Sequence, residues 1–303
     1  MPKSIPAPRA EGFTTRTASP LYWAKYGESN SRSGLPRPKI LVLHGGPGAD
    51  HRYLLPQMLH LAEKHEVLFY DQRGGGRSKS DARDPVTWQT HVEDLGAVVQ
   101  EFRLEPLSIV GYSWGALLAL LYITEQRRNP HLVAPARLAL INPAPLTREY
   151  RAEFEAEFVR RQQSPQIQSM RDELAASGLR ESDPDAYRQR AFELSVAGYF
   201  SDPRKATDLT PFRVVGRIQQ SVWESLGAFD LIHDLNGVRV PSIIIAGRDD
   251  PIPLASSREA ARVLETNLVV LDECGHVPYV EQPERLFAAL DPFLDDTNPP
   301  VRS

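Results

Sequence analysis

Sulfur is scarce in this sequence: among 303 residues there is one cysteine, Cys274. An internal disulfide is excluded, so the fold does not depend on an oxidising compartment. Long apolar stretches are missing as well. The longest run, residues 116–123, falls well short of the roughly 20 residues that a membrane-spanning helix needs. Residues 1–12 are rich in proline and alanine but lack the apolar centre of a secretory signal. Basic charge is not in excess either: 35 Lys and Arg face 39 Asp and Glu, for a net charge of −4. Binding to nucleic acid or to anionic lipid needs the opposite balance. No repeat of fixed period occurs, and no spacing of the H-E-x-x-H kind marks a metal site. The expectation is a soluble, cytoplasmic protein with no nucleic-acid partner, no membrane partner and no metal.

The chain is long enough to bury a large core, and at about 150 residues per domain it reads as two domains or one with an insertion. Short apolar runs bounded by glycine, asparagine or aspartate recur at residues 39–43, 67–70, 107–110, 138–141, 242–246 and 268–271. Continuous apolar runs of this kind read as strands buried on both faces of a parallel sheet. Strand-like segments broken at Pro20 lie within residues 14–26. Helical patterns at 53–64, 88–102, 114–126, 254–264 and 283–294 separate the runs, which makes the fold α/β with a mostly parallel sheet. Residues 146–235 break the alternation. Their segments 147–161, 185–200 and 213–226 are helical in pattern and charged, and no strand pattern intervenes. So long a strandless stretch exceeds an ordinary crossover and reads as a helical cap inserted between two core parts, 1–145 and 236–303. The proline-rich ends are expected to fray.

The most informative motif is Gly111-Tyr112-Ser113-Trp114-Gly115. It follows an apolar strand pattern and opens an apolar helix pattern, the context in which G-x-S-x-G forms a sharp turn that exposes a nucleophilic serine. Glycines two before and two after let strand and helix approach. The Trp114 N–H then lies at a helix N-terminus, where it favours a developing anion. A serine hydroxyl needs a base, and the base an orienting acid. In this arrangement the acid and then the histidine follow later strands. Gly247-Arg248-Asp249-Asp250 and Cys274-Gly275-His276 occupy those places.

His276 is the base candidate among eight histidines. His44 ends a strand but precedes the serine. For His51, His60, His65, His91, His131 and His233, surface roles are the default expectation. For the acid, Asp249 and Asp250 compete. Asp250 is preferred, because its place three residues after Gly247 lets the turn aim its carboxylate back at the histidine. Asp272 lies too near the histidine. Cys274 reads as a small buried thiol. His44-Gly45-Gly46-Pro47-Gly48 is the glycine-rich loop that supplies a second oxyanion donor. That donor is assigned to the Gly46 N–H, since Pro47 has none. Gly74-Gly75-Gly76-Arg77-Ser78-Lys79 has neither glycine spacing of a nucleotide-binding loop.

On these residues the chain resembles the α/β-hydrolase superfamily over nearly its whole length. Within that superfamily it resembles the proline iminopeptidases. The carriers are His44-Gly45-Gly46-Pro47-Gly48, Asp71-Gln72-Arg73-Gly74 with Arg77-Ser78, Ser113-Trp114-Gly115, Gly247-Arg248-Asp249-Asp250, and Gly275-His276 with Pro278, Glu281 and Pro283. The resemblance implies a serine peptidase, free of cofactors, that removes an N-terminal residue, often proline, from short peptides under a helical cap. It also implies cap carboxylates that hold the substrate's free amine. The family's elbow has glycine where this chain has Tyr112, and no motif marks the cap carboxylates among Glu193, Asp202, Asp208 and Glu224. An esterase, lactonase or C–C bond hydrolase uses the same triad, and an apolar cap in place of an acidic one would favour esters. A non-catalytic binding protein on this scaffold would ordinarily lose a triad member, and all three are present in order.

Overall fold

The computed structural model describes residues 5–31, 33–81 and 85–295. The ends expected to fray, residues 1–4 and 296–303, lie outside the described residues. Eight strands form one sheet: β1 (Ala10–Phe13), β2 (Tyr22–Tyr26), β3 (Lys39–Leu43), β4 (Glu66–Tyr70), β5 (Leu107–Tyr112), β6 (Pro135–Ile141), β7 (Ser242–Gly247) and β8 (Asn267–Leu271). Their spatial order is β1-β2-β4-β3-β5-β6-β7-β8. β1 and β2 pair antiparallel, β2 pairs antiparallel with β4, and every later pairing is parallel. The six apolar runs of the sequence are the six parallel strands. The N-terminal segment differs from its sequence pattern. β1 precedes residue 14, and residues 14–21 form a turn closed by Thr14 N–H donating to Leu21 O at 2.9 Å.

The helices are α1 (Trp88–Phe102), α2 (Trp114–Arg128), α3 (Arg148–Gln162), α4 (Pro165–Ala176), α5 (Leu179–Ser182), α6 (Pro184–Val196), α7 (Gly216–Leu226), α8 (Leu231–Asp234), α9 (Leu254–Val263), α10 (Pro278–Glu281) and α11 (Pro283–Asp295). The α-helix expected over 53–64 is instead two 3₁₀ turns, His51–Leu54 and Gln57–Glu63. Pro56 lies between them, and its ring cannot continue a helix.

Side-chain alternation along the strands divides the core between the two faces of the sheet. Leu41 and Leu43 of β3 face a cluster with α1 and α2, while Ile40 and Val42 face one with Leu286 and Leu290 of α11. Residues 114–124 of α2 are all buried, as expected of a helix apolar all round. The helix sits against the sheet centre and holds its own N-terminus at the end of β5.

Between β6 and β7 the described residues contain helices and turns but no strand. The two ends of this insertion meet. Arg148 N–H donates to Phe229 O (3.1 Å) and Leu231 N–H to Leu146 O (2.9 Å). Side chains cap its helices: Thr147 accepts from Tyr150 N–H, Ser164 from Ile167 N–H and Asp183 from Ala186 N–H. α3 has no buried residue, whereas Ile218 and Val222 of α7 join the core beside Trp114. No described helix is long and apolar enough to cross a membrane.

Candidate active site

Parallel strands end their C-terminal edges on one side, and the site is built there. Ser113 leaves β5 with φ 53° and ψ −118°, left-handed and strained for a non-glycine residue. The flanking glycines are sterically required. A Cβ on Gly111 would stand 2.6 Å from Ala116 Cα, and one on Gly115 would stand 2.1 Å from Leu43 O. Real Cβ atoms do not approach so closely, so the elbow's glycines set how tightly strand and helix pack.

His276 brings the three expected side chains into line. Its Nε2 lies 2.9 Å from Ser113 Oγ, and its Nδ1 lies 2.8 Å from Asp250 Oδ2. A carboxylate offers only acceptors, so the imidazole proton sits on Nδ1 and leaves Nε2 facing the serine. Asp250 is itself anchored. Its Oδ1 accepts from Ile252 N–H (2.8 Å) and its Oδ2 from Asn142 Nδ2 (2.5 Å). Asp249 points elsewhere, taking a hydrogen bond from Ser201 Oγ at 2.9 Å. The geometry thus brings Asp250, not Asp249, to the histidine.

Sequence reasoning missed Asn142. It is buried, has φ 42°, and also donates to Gly275 O (2.9 Å) and accepts from Gly247 N–H (3.2 Å). One amide therefore ties together the ends of β6 and β7 and the histidine loop. Its signal was an asparagine at a strand end, a place it shares with many ordinary turns.

The glycine loop after β3 runs against the elbow: a Cβ on Gly45 would stand 2.7 Å from Ser113 Cβ. The Gly45 N–H is already taken by Tyr53 Oη at 2.7 Å. Gly46 lines the same cavity as Ser113. Trp114 is the first residue of α2, so its N–H has no carbonyl partner within the helix. Gln72 holds these parts in place. Its Nε2 donates to His44 O (2.8 Å), and its Oε1 accepts from Trp114 Nε1 (2.8 Å). The Asp71-Gln72-Arg73 motif therefore acts as a brace, and Arg73 carries it further through a buried pair with Asp94.

Tyr112, where the family's elbow has glycine, donates from Oη to His276 O (2.9 Å) and sets its ring 5.3 Å from the imidazole. It supports the histidine and lines the cavity beside Ser113. The helical insertion reaches the same loop: His276 N–H donates to Tyr199 O at 2.7 Å. Glu281 joins both sides, accepting from Ser201 N–H and Gly275 N–H, each at 2.8 Å. Burial pushes its carboxyl up to about 7, against the lowering effect of those hydrogen bonds. A raised acid pKa stabilises the fold below the unfolded value and ceases to do so as pH rises. Wild-type stability is therefore expected to fall by roughly 3 kcal/mol between pH 4.5 and 7 on account of this group. Glu281→Gln should flatten that slope in urea titrations, and an unchanged slope would count against the assignment.

Three histidines depart from the surface expectation. His51 is buried against Asp71 at 2.7 Å and stacked on Tyr22. His91 is buried and held neutral, burial lowering its pKa to about 4. His65 is buried against Leu61 O. Each satisfies a ring nitrogen internally, which is how a core accepts a polar ring. His131 and His233 are exposed. Cys274 is buried, and burial pushes its thiol up, away from the reactive thiolate.

The cavity beside Ser113 measures about 270 Å³. Its wall is aromatic and aliphatic, with Tyr53, Phe192, Tyr199, Phe212 and Tyr279 prominent, and none of the described residues lining it is acidic. Glu193 is buried but paired with Arg190 (2.7 Å). Asp202 caps a 3₁₀ turn, and Asp208 and Glu224 are exposed. None of the four lines the cavity.

This sheet order, the elbow after β5 and the loops at the strand ends define an α/β hydrolase. The chain belongs to the α/β hydrolase family, whose description matches residues 40–290. Among curated proteins it is similar to the proline iminopeptidase of Heyndrickxia coagulans, 25% identical over 297 residues, which cover 94% of this chain and 98% of the relative. Among solved structures it is similar to a proline iminopeptidase-related protein from Thermus thermophilus, with a TM-score of 0.69 and 23% identity over 94% of this chain and 97% of that one. It is also similar to an enol-lactonase from Burkholderia xenovorans, with a TM-score of 0.64 and 20% identity over 94% of this chain and 100% of that one. At these identities the structural likeness speaks for the fold alone.

Proposed function

We propose that this protein is a serine hydrolase that releases a small acyl group through an acyl-enzyme on Ser113. The alignment of Ser113, His276 and Asp250 carries the reading. Ser113 Oγ attacks the substrate carbonyl while His276 Nε2 takes its proton. Asp250 keeps the other ring nitrogen protonated and stabilises the imidazolium. The Gly46 and Trp114 N–H groups receive the oxyanion, each such donor being worth about 3 kcal/mol. His276 then protonates the departing amine or alcohol, and water activated by the same base frees the acyl group.

The curated relatives favour a proline iminopeptidase-like reaction, with the acyl group an N-terminal prolyl residue. The cavity wall favours a second reading, because an amino terminus buried there would meet no carboxylate among the described residues. On that second reading the substrate is a small ester or lactone. Parallel kinetics on a proline arylamide and a short-chain aryl ester separate the two. Arylamide turnover that disappears when the proline nitrogen is blocked supports the aminopeptidase. Ester turnover alone supports the second reading, and the absence of both turnover and serine labelling by a fluorophosphonate would defeat both.

A further inference from the structure

Beside the neutral catalytic cavity lies a second, larger one of about 620 Å³. The two share Phe192 and Phe212, whose rings meet edge to face at 5.5 Å. In character they differ sharply. The second cavity is lined by the cationic Arg52, Lys79, Arg188 and Arg213 and by two carboxylates, Asp50 and Asp185. Both carboxylates are already engaged, Asp50 by Arg52 at 2.9 Å and Asp185 by Arg188. Among the described residues neither Lys79 nor Arg213 has an ion-pair partner, and both are exposed. This cationic concavity stands on a protein whose net charge is −4. Low-dielectric walls such as these aromatic rings focus a local field, so an anion is attracted here despite the overall sign.

We propose that this vestibule binds a carboxylate on the leaving part of the substrate, while the neutral cavity takes the acyl part. The inference rests on the hydrolase reading above and adds its substrate class: a small acyl group joined to a fragment that ends in a carboxylate. Lys79 and Arg213 supply the attraction, since the other two cations are neutralised by their partners. A short peptide carries such a carboxylate at its C-terminus, and a carboxylated ester carries one on its alcohol. The shared chemistry is the carboxylate on the leaving fragment.

Binding and turnover test this separately. In Ser113→Ala, 4-propionamidobenzoate should bind about tenfold more tightly than propionanilide, as read by NMR titration, an effect typical of one focused charge contact. The ratio should shrink between about 20 mM and about 0.5 M salt. Adding Lys79→Ala/Arg213→Ala should bring it close to one, and Lys79→Glu/Arg213→Glu should reverse it. Equal binding of the two probes, or a ratio untouched by these surface substitutions, overturns the proposal. In the wild-type enzyme, 4-propionyloxybenzoate should exceed the uncharged phenyl propionate in kcat/KM, with the difference in KM. If the binding preference holds but neither ester is turned over, the hydrolase reading fails and the vestibule stands. If both esters turn over equally and both probes bind equally, the vestibule fails and the hydrolase stands. A dipeptide compared with its C-terminal amide then assigns the source: a matching preference points to peptides, and its absence points to carboxylated esters.

Discussion

Ser113→Ala is expected to lower kcat by roughly 10⁶-fold while leaving the melting temperature nearly unchanged. The size follows from the unit the serine belongs to. With Oγ gone, His276 Nε2 faces no nucleophile, and a water in its place starts without the orientation that the 2.9 Å contact provides. Residual turnover should remain about 10³-fold above the uncatalysed rate, because the Gly46 and Trp114 N–H groups still receive an oxyanion. The fold should tolerate the change. Alanine accepts the φ of 53° no worse than serine does, and Ser113 N–H and C=O keep their bonds to Ile141 O and from Ala144 N–H. Steady-state kinetics with thermal melts of both proteins check both halves. Activity within about tenfold of wild type would remove Ser113 from the reaction.

Asp250→Asn should cost about 10⁴-fold in kcat, whereas Asp249→Asn should change it by no more than about twofold. The contrast comes from which atoms converge. Asp250 receives three donors, His276 Nδ1, Asn142 Nδ2 and Ile252 N–H, and an amide cannot accept from all three. Whichever way it flips, the substituted amide places an N–H against a donor: against Ile252 N–H in one orientation, and against Asn142 Nδ2 and His276 Nδ1 in the other, where it disturbs the imidazole tautomer that leaves Nε2 free. Asp249 holds Ser201 Oγ and lies off the histidine. Equal losses in the two variants would mean that the acid is shared, and a loss only at Asp249 would reverse the assignment.

Much of this site is legible in the sequence. The elbow was readable because its requirement is local: a turn tight enough to expose a serine leaves no room for Cβ atoms at 111 and 115, and glycine stands at both. The histidine was readable because chain order in this fold puts it after the last strand. The acid was less legible, since Asp249 and Asp250 are neighbours and only the course of the turn decides between them. The brace formed by Gln72, the anchor formed by Asn142 and the clasp formed by Glu281 were not legible as roles. Each joins segments far apart in the chain, and nothing in the local pattern states which carbonyl or N–H will be opposite.

The sequence by itself therefore determined the six parallel strands, most of the helices that cover them, the strandless helical stretch between β6 and β7, and Ser113 and His276 as the candidate nucleophile and base. All of these follow from periodicity, glycine placement and chain order, which act over a few residues or along one direction. Only the tertiary structure decided that Asp250 meets His276, that His51, His65 and His91 go inside, and that no carboxylate among the described residues lines the catalytic cavity. It alone set a cationic vestibule beside a neutral one. Those outcomes depend on burial and on contacts between distant segments, where a polar group's fate is settled by the partner that folding brings to it.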